Sequence, residues 1–144
     1  MAGTRQRDRR LERLAEVPLF AACSKRELLA IAQASDLIEV PPGHLLIEQG
    51  STGAECFVLV DGEVRVTRNG HEVGRLGPGA CFGELSLLDR GERTATVETE
   101  TPATVLALGR REFATVLNTV PSINHKLLAT LAGRVRELDA ELFG

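Results

Sequence analysis

Hydrophobic positions follow a helical spacing towards both ends of the chain and a shorter, strand-like spacing in the middle. Apolar residues recur at helical intervals over about 25–34, and Ser24 followed by Glu27 forms a capping box ahead of them, which predicts a helix. From Leu37 to Leu108, short apolar or alternating runs are separated by turn residues, as in β-strands. Helical spacing returns beyond Gly109. The pattern predicts a β domain flanked by helices.

The clearest strand signals lie in the middle of the chain. Cys56–Val60 and Glu63–Arg68 are joined across Asp61-Gly62, and the chain turns back again after Asn69-Gly70. Dipeptides of this kind are typical of tight turns between strands. Short, regularly spaced strands predict a sandwich or a rolled barrel.

The C-terminal part combines one strand with two helices. A strand is predicted over Ala103–Leu108, a helix over about 110–118, and a last helix over about 122–142 behind Pro121. One face of the last helix is a heptad seam, made of Leu128, Leu131, Val135, Leu138 and Leu142.

A second face of the last helix, with Ile123, Leu127 and Arg134, is predicted to look back onto the β domain. Two heptads alone are marginal for a coiled coil. A homodimer contact through the seam and packing of the helix within its own domain therefore both stay open.

A phosphate-binding pattern occurs in Phe82–Val97, FGELSLLDRGERTATV. Gly83 allows the backbone to approach a ligand closely, and the free amides of the turn that begins at Glu84 favour an anion. Arg93 offers a planar donor fork to a phosphate, which leaves Glu84 as a carboxylate in need of a hydroxyl donor. A 3′,5′-cyclic nucleotide supplies both groups. The alternative is a surface salt bridge between Glu84 and Arg93 beside an ordinary turn.

The run Phe82–Leu88 followed by Arg93–Val97 resembles the phosphate-binding cassette of the cyclic nucleotide-binding domain family. That family includes kinase A regulatory subunits, cyclic-nucleotide-gated channels and catabolite activator proteins. The resemblance extends over nearly the whole chain, from about Leu11 to Leu142. It implies a mainly β fold, an eight-stranded double-stranded β-helix (jelly-roll) barrel, with N-terminal helices and C-terminal B and C helices.

The resemblance also implies roles for individual residues. Glu84 would bind the ribose 2′-hydroxyl and Arg93 the phosphate, while the backbone N–H groups of Leu85 and Ser86 complete the anion site. Thr94 stands where members selective for cyclic GMP often carry a threonine. Its hydroxyl either contacts the ligand or belongs to a β-branched residue that begins the next strand.

The base and the output helices complete this interpretation. The base would stack on apolar barrel residues, with Val58 and Val64 as candidates. Arg134 stands where hyperpolarisation-activated channels carry a base-contacting arginine, although a solvent-facing arginine is an equal alternative. Ligand binding would pull the 84–88 turn inward, and Leu87 would repack against the helices after residue 110.

The predicted function is a cAMP or cGMP sensor module, with no catalysis, that acts on an unknown downstream protein. The family's bacterial activators pair through the corresponding helix, which favours a homodimer. The predicted layout has two parts, a basic tail 1–13 and a binding domain 14–144. The domain divides into a helical lead-in 14–35, a barrel 36–109 and C-terminal helices 110–143.

Charge is distributed unevenly over the 144 residues. The chain carries 17 Lys and Arg against 20 Asp and Glu, which argues against nucleic acid as the main partner. Five arginines against two acidic residues give residues 1–13 a net charge of +3. We expect a solvated, partly disordered tail or linker remnant there rather than a nucleic-acid or lipid anchor.

The cysteines and histidines predict no metal site. Cys23, Cys56 and Cys81 are odd in number and widely spaced, and the three histidines are scattered. A cytoplasmic location fits this pattern. The N-terminus lacks the apolar core of a signal peptide, and no apolar run is long enough for a bilayer, so no membrane contact is expected.

Two other functions stay in view. The chain fits the ligand-sensing part of a catabolite-activator-type transcription regulator, although no helix-turn-helix follows the last helix, so no nucleic acid is expected to bind this chain alone. An enzyme on a related β barrel would need a metal cluster or an acid/base pair, and Glu84 is better explained as a ribose acceptor.

Overall fold

The computed structural model describes residues 2–17, 20–53, 55–83 and 91–143, with side chains from residue 9 onward except at 134 and 143. The helices and strands, numbered in chain order, are α1 (Ala2–Ala15), α2 (Lys25–Ala34), β1 (Asp36–Val40), β2 (Leu45–Ile47), β3 (Glu55–Asp61), β4 (Val64–Arg68), β5 (His71–Leu76), β6 (Cys81–Phe82), β7 (Thr96–Thr99), β8 (Ala103–Gly109), α3 (Arg110–Thr119) and α4 (Ser122–Phe143). The predicted turn at residues 84–88 lies outside the described residues.

Within the described ranges, eight strands form two four-stranded sheets. One has the strand order β1-β8-β3-β6 and the other β2-β7-β4-β5. The ladders within both sheets are antiparallel. The predicted mainly β fold with helices at both ends is confirmed. Among the described residues, the strands pair as two separate sheets and do not close into one continuous hydrogen-bonded barrel.

The Asn69-Gly70 turn is confirmed as a β-hairpin. Strands β4 and β5 pair directly, with Arg68 opposite His71. Asn69 and Gly70 have φ values of 53° and 80°, and two positive φ angles in succession suit the twist of a two-residue hairpin.

The Asp61-Gly62 turn does not join two paired strands, as the sequence predicted. Strands β3 and β4 belong to different sheets, so this turn carries the chain from one sheet to the other instead of closing a hairpin. Gly62 has a φ of 100°, and a Cβ there would stand 2.7 Å from the carbonyl oxygen of Pro102. Glycine is required for both reasons.

Strand β3 is buried on both faces. Its residues alternate between two clusters, as successive side chains on a strand must. The intersheet cluster contains Val40, Ile47, Phe57, Leu59, Val64, Phe82, Val97, Ala103, Val105 and Ala107. The helix-facing cluster contains Leu11, Leu14, Val17, Phe20, Leu28, Ile31, Ala32, Cys56, Val58, Val60, Leu106, Leu108, Phe113, Val116, Ile123 and Leu127.

The prediction of a partly disordered tail over residues 1–13 is wrong. Helix α1 extends through that segment, with Leu11 and Leu14 buried in the helix-facing cluster. Arg13 donates from Nε to the carbonyl oxygen of Val60 at 3.0 Å, and Arg9 pairs with Asp61. The arginine-rich composition concealed two leucines at the i, i+3 spacing of a helix face.

The capping box is confirmed, and its glutamate also joins α2 to α4. Glu27 accepts a hydrogen bond from the Ser24 backbone N–H at 2.7 Å and from Ser122 Oγ at 2.6 Å, and it pairs with Lys126. The Lys126 ammonium, followed by the Ser122 hydroxyl, lowers the pKa of Glu27 from 4.5 to about 2. A carboxylate with these donors stays charged although the residue is buried.

Helix α4 has a buried face and an exposed face, as predicted, although Leu131 lies on the buried side and the Arg134 side chain is outside the described part. Ile123 and Leu127 are buried in the helix-facing cluster, and Leu131 of the seam packs against the same cluster. The other seam residues are exposed, namely Leu128, Val135, Leu138 and Leu142. In the described part of the chain, no helix is both long and apolar enough to span a bilayer.

Candidate functional site

The structure describes only part of the predicted ligand site. Glu84, Leu85 and Ser86 lie outside the described residues, and of Arg134 only its place within α4 is given. The other candidates are Gly83, Arg93, Thr94, Val58 and Val64.

The backbone of Arg93 is held by the loop that follows β2. Its N–H donates to the carbonyl oxygen of Ser51 at 2.8 Å, and its own carbonyl accepts from the N–H of Gly50 at 2.9 Å. Thr52 and Glu92 form an isolated antiparallel bridge beside this pair. Two short segments far apart in sequence therefore fix where the Arg93 side chain begins.

The Arg93 guanidinium lies against two glycines. An ideal Cβ on Gly53 would stand 2.5 Å from Nε and from Nη2, and one on Gly83 would stand 2.5 Å from Nη1. The Nη2 group donates a hydrogen bond to the carbonyl oxygen of Glu55, at the start of β3. The guanidinium thus packs directly on backbone where any side chain would collide with it.

Gly83 combines this contact with a backbone conformation that favours glycine. Its φ is 81°, and a Cβ there would also stand 3.2 Å from the Glu55 carbonyl oxygen and 3.3 Å from Ile47 Cδ1. The sequence predicted a close backbone approach at Gly83 towards a ligand. The approach seen in the structure is to Arg93, and the ligand contact stays a prediction.

Burial lowers the pKa of Arg93, while the nearby Cys56 and Glu55 raise it and Arg110 lowers it further. The guanidinium remains a cation regardless, because arginine does not lose its proton in proteins. A half-buried cation offers a strong site for one negative charge, since less water screens it than at an open surface.

Thr94 lies just before strand β7 rather than within a strand. One of the two interpretations had Thr94 as the first residue of the next strand, whereas β7 covers Thr96–Thr99. Thr94 is exposed, and its carbonyl oxygen accepts from Arg68 Nε at 3.1 Å. A strand-starting role for the β-branched side chain is therefore not supported.

The two candidates for stacking the base lie on opposite sides of a sheet. Val64 is fully buried in the intersheet cluster. Val58 belongs instead to the helix-facing cluster, because the neighbouring Phe57 and Leu59 point between the sheets and side chains alternate. The prediction that Val58 faces the space between the two sheets, where a base could stack on it, is therefore wrong.

Two residues at the site were missed by sequence reasoning, Gly53 and Glu55. Glu55 pairs with Gly109 in the β3–β8 ladder, and Gly109 is the residue directly before helix α3. A cavity of about 280 Å³ adjoins Glu55, Gly109 and Arg110. Glu55 therefore touches both the Arg93 guanidinium and the start of a C-terminal helix. Within the described residues, no group of three or more His, Cys, Asp or Glu is placed to hold a metal ion.

The comparisons with known proteins agree with the phosphate-site motif. Residues 37–120 match the family described as "Cyclic nucleotide-binding domain". The cyclic AMP receptor protein of Thermus thermophilus is 37% identical over 131 residues, which are 87% of this chain and 60% of that protein. The chain thus spans less than two thirds of this relative.

Solved structures give the same result. The N-terminal domain of a transcriptional regulator from Streptomyces coelicolor superimposes with a TM-score of 0.83 at 32% identity, covering 89% of this chain and 95% of that one. The regulatory domain of Toxoplasma gondii PKA, crystallised with cAMP, has a TM-score of 0.70 at 28% identity, covering 77% of this chain and 44% of that one. From the matched segment, which contains both Gly83 and Arg93, and from these relatives, it follows that the chain belongs to the cyclic nucleotide-binding domain family.

Proposed function

We propose that this domain binds a 3′,5′-cyclic nucleotide and that Arg93 meets its phosphate. The observation that carries the proposal is the half-buried guanidinium held against Gly53 and Gly83 and hydrogen-bonded to the Glu55 carbonyl. Such a fork is oriented before a ligand arrives, which reduces the entropy lost on binding. The Thermus relative is named a cyclic AMP receptor, and the Toxoplasma domain holds cAMP, which favours cAMP over cGMP here.

The remaining site residues follow the family pattern. Glu84 would accept a hydrogen bond from the ribose 2′-hydroxyl, and the N–H groups of Leu85 and Ser86 would complete the phosphate site behind Gly83. Thr94 would add its hydroxyl to the phosphate.

Of the two apolar candidates, Val64 alone belongs to the intersheet cluster and remains the candidate for stacking the base, which Arg134 of α4 would cover. The two sheets would correspond to a double-stranded β-helix barrel over 36–109. The module would act as a sensor and not as an enzyme.

The output would be a rearrangement of the C-terminal helices. Glu55 gives a physical route for it, because its carbonyl receives Arg93 while its backbone pairs with Gly109 at the start of α3. A phosphate that draws Arg93 towards itself would weaken the Arg93–Glu55 hydrogen bond and so alter how Glu55 pairs with Gly109. The ligand would then shift the helices by binding one arrangement more tightly than the other.

Calorimetric titration with cAMP and cGMP tests the proposal. We expect both nucleotides to bind, with cAMP the tighter ligand. Adenosine 5′-monophosphate is the control, because its doubly charged, uncyclised phosphate no longer matches a site for one charge. The absence of binding by both cyclic nucleotides to folded protein would overturn the proposal.

A second function is favoured by one observation. The Streptomyces structure that this chain covers to 95% is the N-terminal domain of a transcriptional regulator. The chain would then be the ligand-sensing part of an activator-type regulator whose DNA-binding part lies elsewhere. The length of the natural gene distinguishes this assignment from a free-standing sensor.

We expect Glu84→Gln to weaken cyclic nucleotide binding by about tenfold, since a neutral acceptor replaces a charged one while the size is kept. The measurement pairs this variant with the 2′-deoxy cyclic nucleotide. Removing the hydroxyl should weaken binding to the natural protein and have little further effect on Glu84→Gln. Equal binding of the ribose and deoxyribose ligands by the natural protein would show that Glu84 does not bind that hydroxyl.

We also expect a homodimer through α4. The exposed seam residues Leu138 and Leu142 are 57% and 74% accessible, and apolar side chains in a heptad pattern favour burial against a second helix. Replacing both with Glu should give monomers in sedimentation equilibrium, because charges would enter the interface. Ala140→Glu, on the opposite side of the helix, is the control and should stay dimeric. A natural protein that sediments as a monomer with and without cAMP would disprove the contact.

A further inference from the structure

Glycine is needed at position 53 for a reason other than its own backbone conformation. Its φ lies outside the left-handed region, unlike that of Gly83 at 81°. An L residue could therefore adopt the conformation of Gly53 without strain. What prevents a side chain there is the Arg93 guanidinium, with Nε and Nη2 both 2.5 Å and Cζ 2.8 Å from the position of a Cβ.

We propose that Gly53 is a positioning residue for Arg93. Because Gly53 lacks a Cβ, the Nε–Nη2 edge of the guanidinium can lie against the backbone of the loop between β2 and β3. From that position Nη2 reaches the carbonyl oxygen of Glu55. Gly53 would thereby set the direction in which the guanidinium of Arg93 points, and the inference rests on the proposed role of Arg93 as the phosphate ligand.

The geometry gives the direction of the effect. Carbon–nitrogen contacts below 3.0 Å are not tolerated, so a methyl group at residue 53 must push the guanidinium away from the loop. The side chain has little room to absorb the shift, because Gly83 closes on Nη1 and the Arg93 backbone is fixed through Ser51 and Gly50. A displacement of about 1 Å is enough to misalign a bidentate donor.

Gly53→Ala is the direct test, with Gly77→Ala as its matched control. No atom lies within 4 Å of a Cβ at Gly77, and its φ is also outside the left-handed region. By calorimetry, we expect Gly53→Ala to weaken cAMP binding by about tenfold or more, since the charge-assisted bonds to phosphate lose alignment. Gly77→Ala should bind as the natural protein does.

A cycle with Arg93→Lys separates positioning from general damage. Lysine places Cε and Nζ where arginine has Nε and Cζ, but it has no fork, so a methyl group at residue 53 has no bidentate alignment to disturb and the flexible ammonium can turn aside. Gly53→Ala should therefore cause little further loss of affinity on the Arg93→Lys background. The same tenfold loss on both backgrounds would overturn the proposal.

Urea unfolding without ligand gives an independent measurement. Gly53→Ala should lower the denaturation midpoint of the natural protein and leave that of Arg93→Ala unchanged, because the clash requires the guanidinium. A natural protein that binds neither cyclic nucleotide would reject the proposed function alone. Equal effects of Gly53→Ala in both unfolding backgrounds would reject the role of Gly53.

Discussion

Arg93→Ala is expected to weaken cyclic nucleotide binding by about thirtyfold to a few thousandfold. The variant removes the cation that faces the phosphate and leaves a bound anion without its partner, which costs about 2 to 5 kcal/mol in desolvated charge pairs. The guanidinium is half-buried and hydrogen-bonded to the Glu55 carbonyl, so its orientation is partly set before a ligand binds. Calorimetric titration with cAMP measures the loss.

Arg26→Ala is the control for this experiment, since it removes one positive charge from an exposed position on α2. Its binding should match that of the natural protein. Arg93→Lys should fall between the two, because a single ammonium keeps the charge and loses the fork. An Arg93→Ala protein that folds and binds cAMP with unchanged affinity would end the assignment of Arg93 to the phosphate.

Lys126→Met is expected to lower the free energy of unfolding by about 2 to 3 kcal/mol at neutral pH. Glu27 is buried and would lose its cation, although Ser122 Oγ and the Ser24 N–H would still donate to it. Removing one partner of a buried ion pair typically costs about 3 to 5 kcal/mol, and the two donors that remain on Glu27 reduce the expected loss to the lower limit of that range or slightly below it. Urea unfolding measures it, with the exposed Lys25→Met as control.

The pH dependence of stability gives the same pair a second test. The pKa of Glu27 is lowered from 4.5 to about 2 in the folded protein. Its contribution to stability is therefore complete above about pH 4.5 and is lost as the pH falls towards 2. In Lys126→Met this acid-dependent loss should shrink, since the chief cause of the lowered pKa is gone. Parallel acid profiles in both proteins would show that Lys126 does not hold the charge of Glu27.

Local signals in the sequence predicted much of the fold. The capping box at Ser24 and the Asn69-Gly70 turn each depend on neighbouring residues, and both are present in the structure. The face assigned to Val58 was wrong because a strand covered on both sides is apolar throughout, so its pattern does not reveal which side faces which layer. The turn at Asp61-Gly62 looked like a hairpin because the change of sheet is not encoded locally.

The site shows the same division between local and distant signals. Gly83 and Arg93 lie in one motif, so the sequence could place them together. Glu55 is 38 residues from Arg93, and its role is carried by a backbone carbonyl that any residue possesses. Gly53 carried no signal either, because a glycine in a loop suggests a turn unless the side chain opposite is known.

The place of β8 between β1 and β3 also governs when the protein can fold. The last strand in the chain is an inner strand of its sheet, so neither neighbour can complete its ladder before residues 103–109 are available. Contacts this distant form slowly, because a long loop must close before it is stabilised, and non-local β proteins fold in roughly milliseconds to seconds. Glu55, which orients Arg93, pairs with Gly109 at the very end of β8. We therefore expect the proposed ligand site to form late, after synthesis has passed residue 109.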